Sequence, residues 1–371
     1  MPSASPPFIP GLALNRQFYA EVVRPLLDRE VPDLVHSAAL MGSGSDVLGF
    51  DTATSTDHNW GPRLQLFLPA REYAAQKVAL DETLQNQLPP AFRGFSVNFS
   101  QPDMEDGGTQ RMETISTGPV RHLIEIETID SFFQRHLGVT PGADLNAIDW
   151  LLLSEQSLLE MTEGQVFHDG LGSLLPARER FDFYPRDVWL YRMAAQWQRL
   201  SQEEAFLGRC GDVGDDLGSR IVTARLVRDM MRLAFLMQRR YAPYSKWLGS
   251  AFSRLALARE LLPLFEQALQ AEDWQSRQRP VAAAYSFLAE RYNALQITPP
   301  IDPSVRDYFG RPYLVIFAER FSRPLQDAIS DQVLKGIPLI GAIDQFADST
   351  DLTDDLSLPR RLRVLYTQDP S

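Results

Sequence analysis

Residues 41–69, MGSGSDVLGFDTATSTDHNWGPRLQLFLP, place a glycine-serine turn ahead of Asp57, Asn59 and an apolar run. Gly42, Ser43, Gly44 and Ser45 follow LVHSAAL (34–40), which reads as a buried strand. A turn of this kind at the start of a helix presents free backbone N–H groups to phosphate oxygens. Asp57 is a hard-cation ligand type suited to Mg²⁺, and Asn59 stands at i+2, where a second carboxylate would complete a pair. On a strand that spacing points both side chains the same way, about 6–7 Å apart. In RHLIEIETID (121–130), Glu125 and Glu127 share the face opposite Ile124 and Ile126. Either supplies a third ligand, with Glu127 preferred. Carboxylates so grouped hold a metal pair that bridges a polyphosphate.

A second group of residues lies further on. Asp215 and Asp216 precede an apolar helix, where acids also simply complement the N-terminal dipole. Arg225, Arg228, Arg232 and Arg239 recur at helical spacing along one face. They read either as a solvated stripe paired with acids such as Asp229 or Glu260, or as an anion site whose forks match phosphate. Lys246, in YAPYSKWLG, is one of three lysines beside Lys77 and Lys335. It reads as a triphosphate ligand or base-stacking neighbour, or as a surface lysine lying along Trp247. The five histidines lack metal-ligand spacing. His36 reads as a satisfied core residue, and FHDG (167–170) as a turn.

These residues require elements to hold them. Helices are expected over 12–29 and 71–88, and strands over 34–40, 63–69, 94–100 and 121–130. From 144 the pattern turns helical, with segments 144–162, 187–206, 217–240, 243–270 and 276–295. The tail, 301–371, is mixed, and LPRRLRVLYTQ is expected to end it in a strand. The fold class is α+β: a mixed α/β domain (12–140), a helical bundle (141–300) and a C-terminal extension packed on the others (301–371).

A chain of 371 residues with 44% hydrophobic residues supports sizeable cores, and its net charge of −12 disfavours nucleic-acid backbones as partners. The lone Cys210 allows no intrachain disulfide. MPSASPPFIPG is not a basic leader followed by an apolar stretch, and no uninterrupted apolar run spans a membrane. A cytoplasmic protein is expected. No P-loop and no Gly-x-Ser-x-Gly elbow is present.

The loop, its spacing to Asp57 and the glutamate strand together resemble the nucleotidyltransferase superfamily that includes polymerase beta and the antibiotic adenylyltransferases. The segments DVWLYRMAAQWQRLSQEEAFLGR, RLVRDMMRLAFLMQRRYAPYSKWLGSAF and IGAIDQFADSTDL are similar to a bacterial domain-of-unknown-function family, in which a nucleotidyltransferase-like part precedes a helical domain. The departures are Asn59 and His58, the latter where the pattern has an apolar residue. The resemblance implies Mg²⁺-dependent transfer of a nucleotidyl group, AMP from ATP foremost, to a hydroxyl of a small molecule, releasing pyrophosphate. It implies Ser43 and Ser45 on phosphate, with Asp57, Glu127 and Asn59 or Glu125 on the metal. Lys246, Arg225, Arg228 and Arg232 would neutralise the triphosphate, and Asp215 or Asp216 would act as base. Asn59 leaves three outcomes open: a weak- or one-metal enzyme, one that recruits Asp51 or both glutamates, or a nucleotide-binding regulatory protein without chemistry.

Overall fold

The structure, a computed structural model, describes residues 6–367; the first five residues of the Pro/Ser-rich start and the last four of the chain lie outside it. The chain forms two units. The first holds the described residues up to Ala143 together with Ser157–Asp182, and the second holds Asp144–Gln156 and the described residues from Phe183. The chain therefore passes between units three times, where the sequence suggested single boundaries near 140 and 300.

The first unit is built on a four-stranded sheet of β1 (Ser37–Leu40), β2 (Arg63–Phe67), β5 (Leu123–Glu127) and β6 (Gln165–Asp169), in the order β5-β2-β1-β6. β3 (Ala91–Phe92) and β4 (Phe95–Ser96) form a separate hairpin. β2 and β5 run parallel with Gln65 opposite Glu125 and Phe67 opposite Glu127, while β1 is antiparallel to both β2 and β6. Alternation divides the sheet into two faces. Ala38, Leu64, Leu66, Ile124 and Ile126 join a core with Leu14, Phe18, Leu26, Leu27, Leu80 and Leu84. Those residues come from α1 (Gly11–Phe18), α2 (Arg24–Glu30) and α3 (Ala70–Gln87). A π-helical turn, Tyr19–Val23, joins α1 to α2. The opposite face carries Arg63, Gln65, Phe67, Glu125 and Glu127, and α4 (Ile129–Leu137) packs there through Phe132, whose ring lies edge-on 5.3 Å from Phe67. α4 starts at a reciprocal cap between Thr128 and Ser131 and stops at Gly138, whose φ of 69° ends the helix.

The second unit is helical. α5 (Ala147–Leu152) and the first two residues of α6 (Glu155–Thr162) belong to it, and α7 (Leu174–Glu179) falls in the first unit. It continues with α8 (Arg186–Glu203), α9 (Phe206–Asp212), α10 (Asp216–Met237), α11 (Ser245–Phe252), α12 (Ala258–Gln270) and α13 (Trp274–Ala294). A hairpin of β7 (Arg306–Tyr308) and β8 (Arg311–Val315) precedes α14 (Glu319–Asp327), α15 (Gln332–Gly336) and α16 (Ile343–Phe346). α8 is the buried centre: Leu190, Tyr191, Met193, Ala194, Ala195 and Trp197 are fully enclosed. Trp197 stacks on Phe321 of α14 at 4.4 Å.

Several element expectations are corrected. Phe167–Asp169 of FHDG belong to β6 and only Gly170 lies in the turn that follows, because Gln165–Asp169 pairs with β1 across Ala38 and His168. LPRRLRVLYTQ, within its described residues, is a short helix (Leu358–Arg361) and a 3₁₀ turn (Leu362–Leu365), with Pro359 in the helix's first turn. The segment 94–100 is strand only at Phe95–Ser96, with Phe99 in an isolated bridge to Met112. His36 is satisfied as expected: its Nδ1 meets the Leu34 carbonyl at 3.1 Å and its Nε2 the Tyr19 hydroxyl at 2.9 Å.

Candidate anion site beside a carboxylate pair

The glycine-serine loop leaves β1 and runs along the polar face of the sheet. Gly42 has φ 86°, and a Cβ there would come within 3.1 Å of the His136 ring on α4. Gly44 has φ 141°, and a Cβ there would collide with Asp46 and Arg63. Both positions therefore exclude ordinary side chains on conformation and on space. Gly42 N–H donates to the Glu160 carbonyl, whereas the amides of Ser43, Gly44 and Ser45 make no hydrogen bond among the described residues. Residues beyond the loop form successive turns instead of the regular helix that an anion-binding loop would lead into.

Arg63 fixes this loop from below. Its guanidinium meets both oxygens of the buried Asp46 (Nε–Oδ2 3.0 Å, Nη2–Oδ1 2.7 Å) and donates to the Ser43 carbonyl at 3.0 Å. Gln65, next on the same face, accepts from Met41 N–H at 2.9 Å. Asp51, an alternative metal ligand by sequence, accepts from Gly11 N–H at 2.7 Å and from the Trp60 indole at 2.9 Å.

Glu125 and Glu127 stand together on the polar face of β5, as their spacing implies. Arg135 of α4 bridges them, 2.8 Å from Glu125 and also in hydrogen-bond contact with Glu127. Burial pushes the Glu127 carboxyl up, aided by the charge of Glu125. Burial opposes ionisation of Glu125 too, but Arg135 outweighs it and holds that carboxyl below its ordinary range. His136, one residue along, is driven down to about 4 by burial and by neighbouring Arg135.

Asp57 and Asn59 are not on a strand. They lie in an exposed turn ahead of Gly61-Pro62, with β2 starting at Arg63, so the same-face geometry of an i, i+2 pair does not apply. Asp57 is paired to His58 at 2.9 Å, and this bond lowers its carboxyl below the usual range. Asn59 has φ 47°, a left-handed conformation that asparagine tolerates better than most residues. Its N–H donates to the Gln110 carbonyl and its side-chain oxygen accepts from Gln110 N–H, both at 2.9 Å. Asn59 thus clasps its turn to the 100–112 segment. Its amide oxygen, Asp57 and the two glutamates each have another partner. Among the described residues no three histidine, cysteine or acidic side chains converge as metal ligands do. The donors as arranged do not form a Mg²⁺ cage.

The second group of expected site residues lies in the helical unit. Asp215 is the N-cap of α10 and accepts from Gly218 N–H at 2.8 Å, while Asp216 pairs with Arg220 and Arg277. Arg225 pairs with Glu203, Arg228 with Asp348 and Arg232 with Glu155. Arg239 lies past the end of α10 with φ 52° and rests on the Phe183 and Trp189 rings, so it leaves the stripe. Lys246 is exposed, its ammonium 5.0 Å from the centre of the Trp247 ring. Arg228 and Arg232 line a cavity of about 230 Å³. Sequence reasoning missed Arg63, Asp46, Arg135 and Glu155; an arginine eight and ten residues after the two glutamates was the available signal for Arg135.

Residues 150–248 match the family model described as Domain of unknown function (DUF4037). No curated protein matches the chain. Among solved structures, the chain is similar to a nucleotidyltransferase-like protein from Exiguobacterium sibiricum 255-15. The identity is 10% and the TM-score 0.32, with 88% of this chain and 92% of that one covered. No helix among the described residues is long and apolar enough to cross a membrane.

Proposed function

We propose that the first unit binds a nucleoside triphosphate, its phosphates against the Ser43, Gly44 and Ser45 amides, as a nucleotide-binding regulatory protein. The observation that carries this reading is the row of three unbonded amides at the mouth of a face that also holds Arg63 and Arg135. Backbone amides without an internal partner are available to an anion. Arg135 gives the glutamates their cation, so a metal has no free carboxylate pair to enter.

A second reading keeps the chemistry: Mg²⁺-dependent transfer of AMP from ATP to a hydroxyl of a small molecule. The side-by-side setting of Glu125 and Glu127 favours it, with Asp57 as a further ligand once Arg135 has moved away. Thermal unfolding with each of the four nucleoside triphosphates, with and without Mg²⁺, separates the two. A ligand at a hundredfold its Kd adds about 2.7 kcal/mol. Stabilisation that survives EDTA and Asp57→Ala supports binding alone. Stabilisation that needs Mg²⁺ and vanishes in Asp57→Ala supports transfer. No stabilisation by any nucleotide overturns both.

A further inference from the structure

We propose that the cavity of the helical unit binds a phosphate monoester, gripped by Arg228 and Arg232, and that Asp348 stands in the place that the phosphate takes. Every residue involved belongs to the second unit, so the site does not depend on the loop of the first.

The two arginines are one turn apart on α10 and both line the cavity. Opposite them stand Tyr244 and Ser245 at the N-terminal end of α11, whose first turn has no side-chain cap. Its dipole adds to the positive wall, while Tyr244 N–H donates to the Gln156 side chain at 3.1 Å. Asp344 also lines the cavity and, with Arg232, belongs to an ion-pair network that continues into the core. Arg192 meets Glu155 at 3.0 Å and Asp344 at 3.8 Å, Glu155 N–H donates to Asp344, and Arg232 reaches Glu155 at 3.3 Å.

Arg228 stands nearer solvent than Arg192, its side chain 30% exposed against 1%. Its Nη1 is 2.6 Å from Asp348, but its Nε is buried without a partner among the described residues. Asp348 itself is 65% exposed and sits between short helical turns that end the cavity wall. A pair with one partner so exposed contributes little, so an incoming anion exchanges for it readily. Phosphate oxygens can take both donors of the Arg228 fork at once, which a guanidinium presents in parallel. A buried donor left unsatisfied is destabilising, and the ligand removes that penalty. The volume sets the class of ligand. At about 230 Å³ the cavity is smaller than the roughly 300–1,000 Å³ of sites for larger ligands. It suits a phosphate on a few carbon atoms, not a whole nucleotide.

Isothermal titration of the full chain with inorganic phosphate and with glycerol 3-phosphate tests this. Asp348→Asn should tighten binding of the ester about fivefold, and Arg228→Gln should weaken it at least about tenfold. Ester binding tighter than inorganic phosphate assigns the site to a phosphorylated small molecule; the reverse order assigns it to the free ion and overturns the monoester. Asp348 is exposed, so Asp348→Asn stands as a test even if Arg228→Gln fails to fold. Absence of binding in both wild type and Asp348→Asn, or affinities that Asp348→Asn or a folded Arg228→Gln leaves unchanged, overturns the site.

Discussion

Each unit contains two carboxylates bridged by arginine, and the two clusters differ in one respect. Glu125, Glu127 and Arg135 lie on the sheet's polar face, with Arg135 half exposed and Glu127 14% exposed. Glu155, Asp344 and Arg192 are enclosed, with the Arg192 side chain 1% exposed. Similar charges in different solvent do different work. The exposed bridge can open when a stronger partner arrives, because water compensates the parted charges. The buried one cannot, because any group left alone there remains a charge without solvation. Exchangeable electrostatics therefore belong to the sheet face and to the rim at Arg228, and fixed electrostatics to the heart of the helical unit.

The largest test of this contrast is Arg192→Met. It leaves Glu155 and Asp344 facing each other without their shared cation and should cost about 3–5 kcal/mol in denaturant unfolding. Arg135→Met should cost less than about 1 kcal/mol in the same measurement, and equal costs would abolish the distinction.

Acid should separate the units next. His136 titrates at about 4 in the fold and near 6.5 when unfolded, so the unfolded chain binds more protons between those values. The stability it contributes is present above pH 6.5 and falls by roughly 3 kcal/mol as pH drops toward 4. His136→Gln should flatten that slope in unfolding curves taken across the range.

Asn59→Ala should cost about 1–2 kcal/mol, through the left-handed backbone and the lost bond to Gln110. Asn59→Gly should recover part of it, since glycine restores the conformation and not the bond. An unchanged melting temperature in Asn59→Ala would show that the clasp carries no strain. The smallest effect expected is Arg225→Ala, within about 0.5 kcal/mol, because its partner Glu203 is also near the surface.

What was legible in the sequence followed from local chemistry. The helices of the second unit were visible in their apolar spacing and, for α10, in Asp215 and Asp216 before it. The shared face of Glu125 and Glu127 followed from strand alternation alone. The helix expected over 243–270 proved to be α11 and α12 with turns between them, because Ser253–Leu257 closes by short-range backbone bonds. What depended on distant partners was illegible. β6 is a five-residue strand that exists through its pairing with β1, some 130 residues earlier. Asn59 looked like a weakened metal ligand because nothing local shows that Gln110 will meet it. Arg63 looked like an ordinary strand residue until Asp46 enclosed it.

The late return of the chain to its first sheet has a practical consequence. A fragment cut near residue 140, at the boundary the sequence suggests, would lack β6 and leave β1 as an open edge. Four fully buried residues, Ser37–Leu40, would then expose unpaired N–H and C=O groups beside an apolar surface. Such an edge recruits strands from other chains, so this fragment should aggregate unless residues 157–182 are supplied with it.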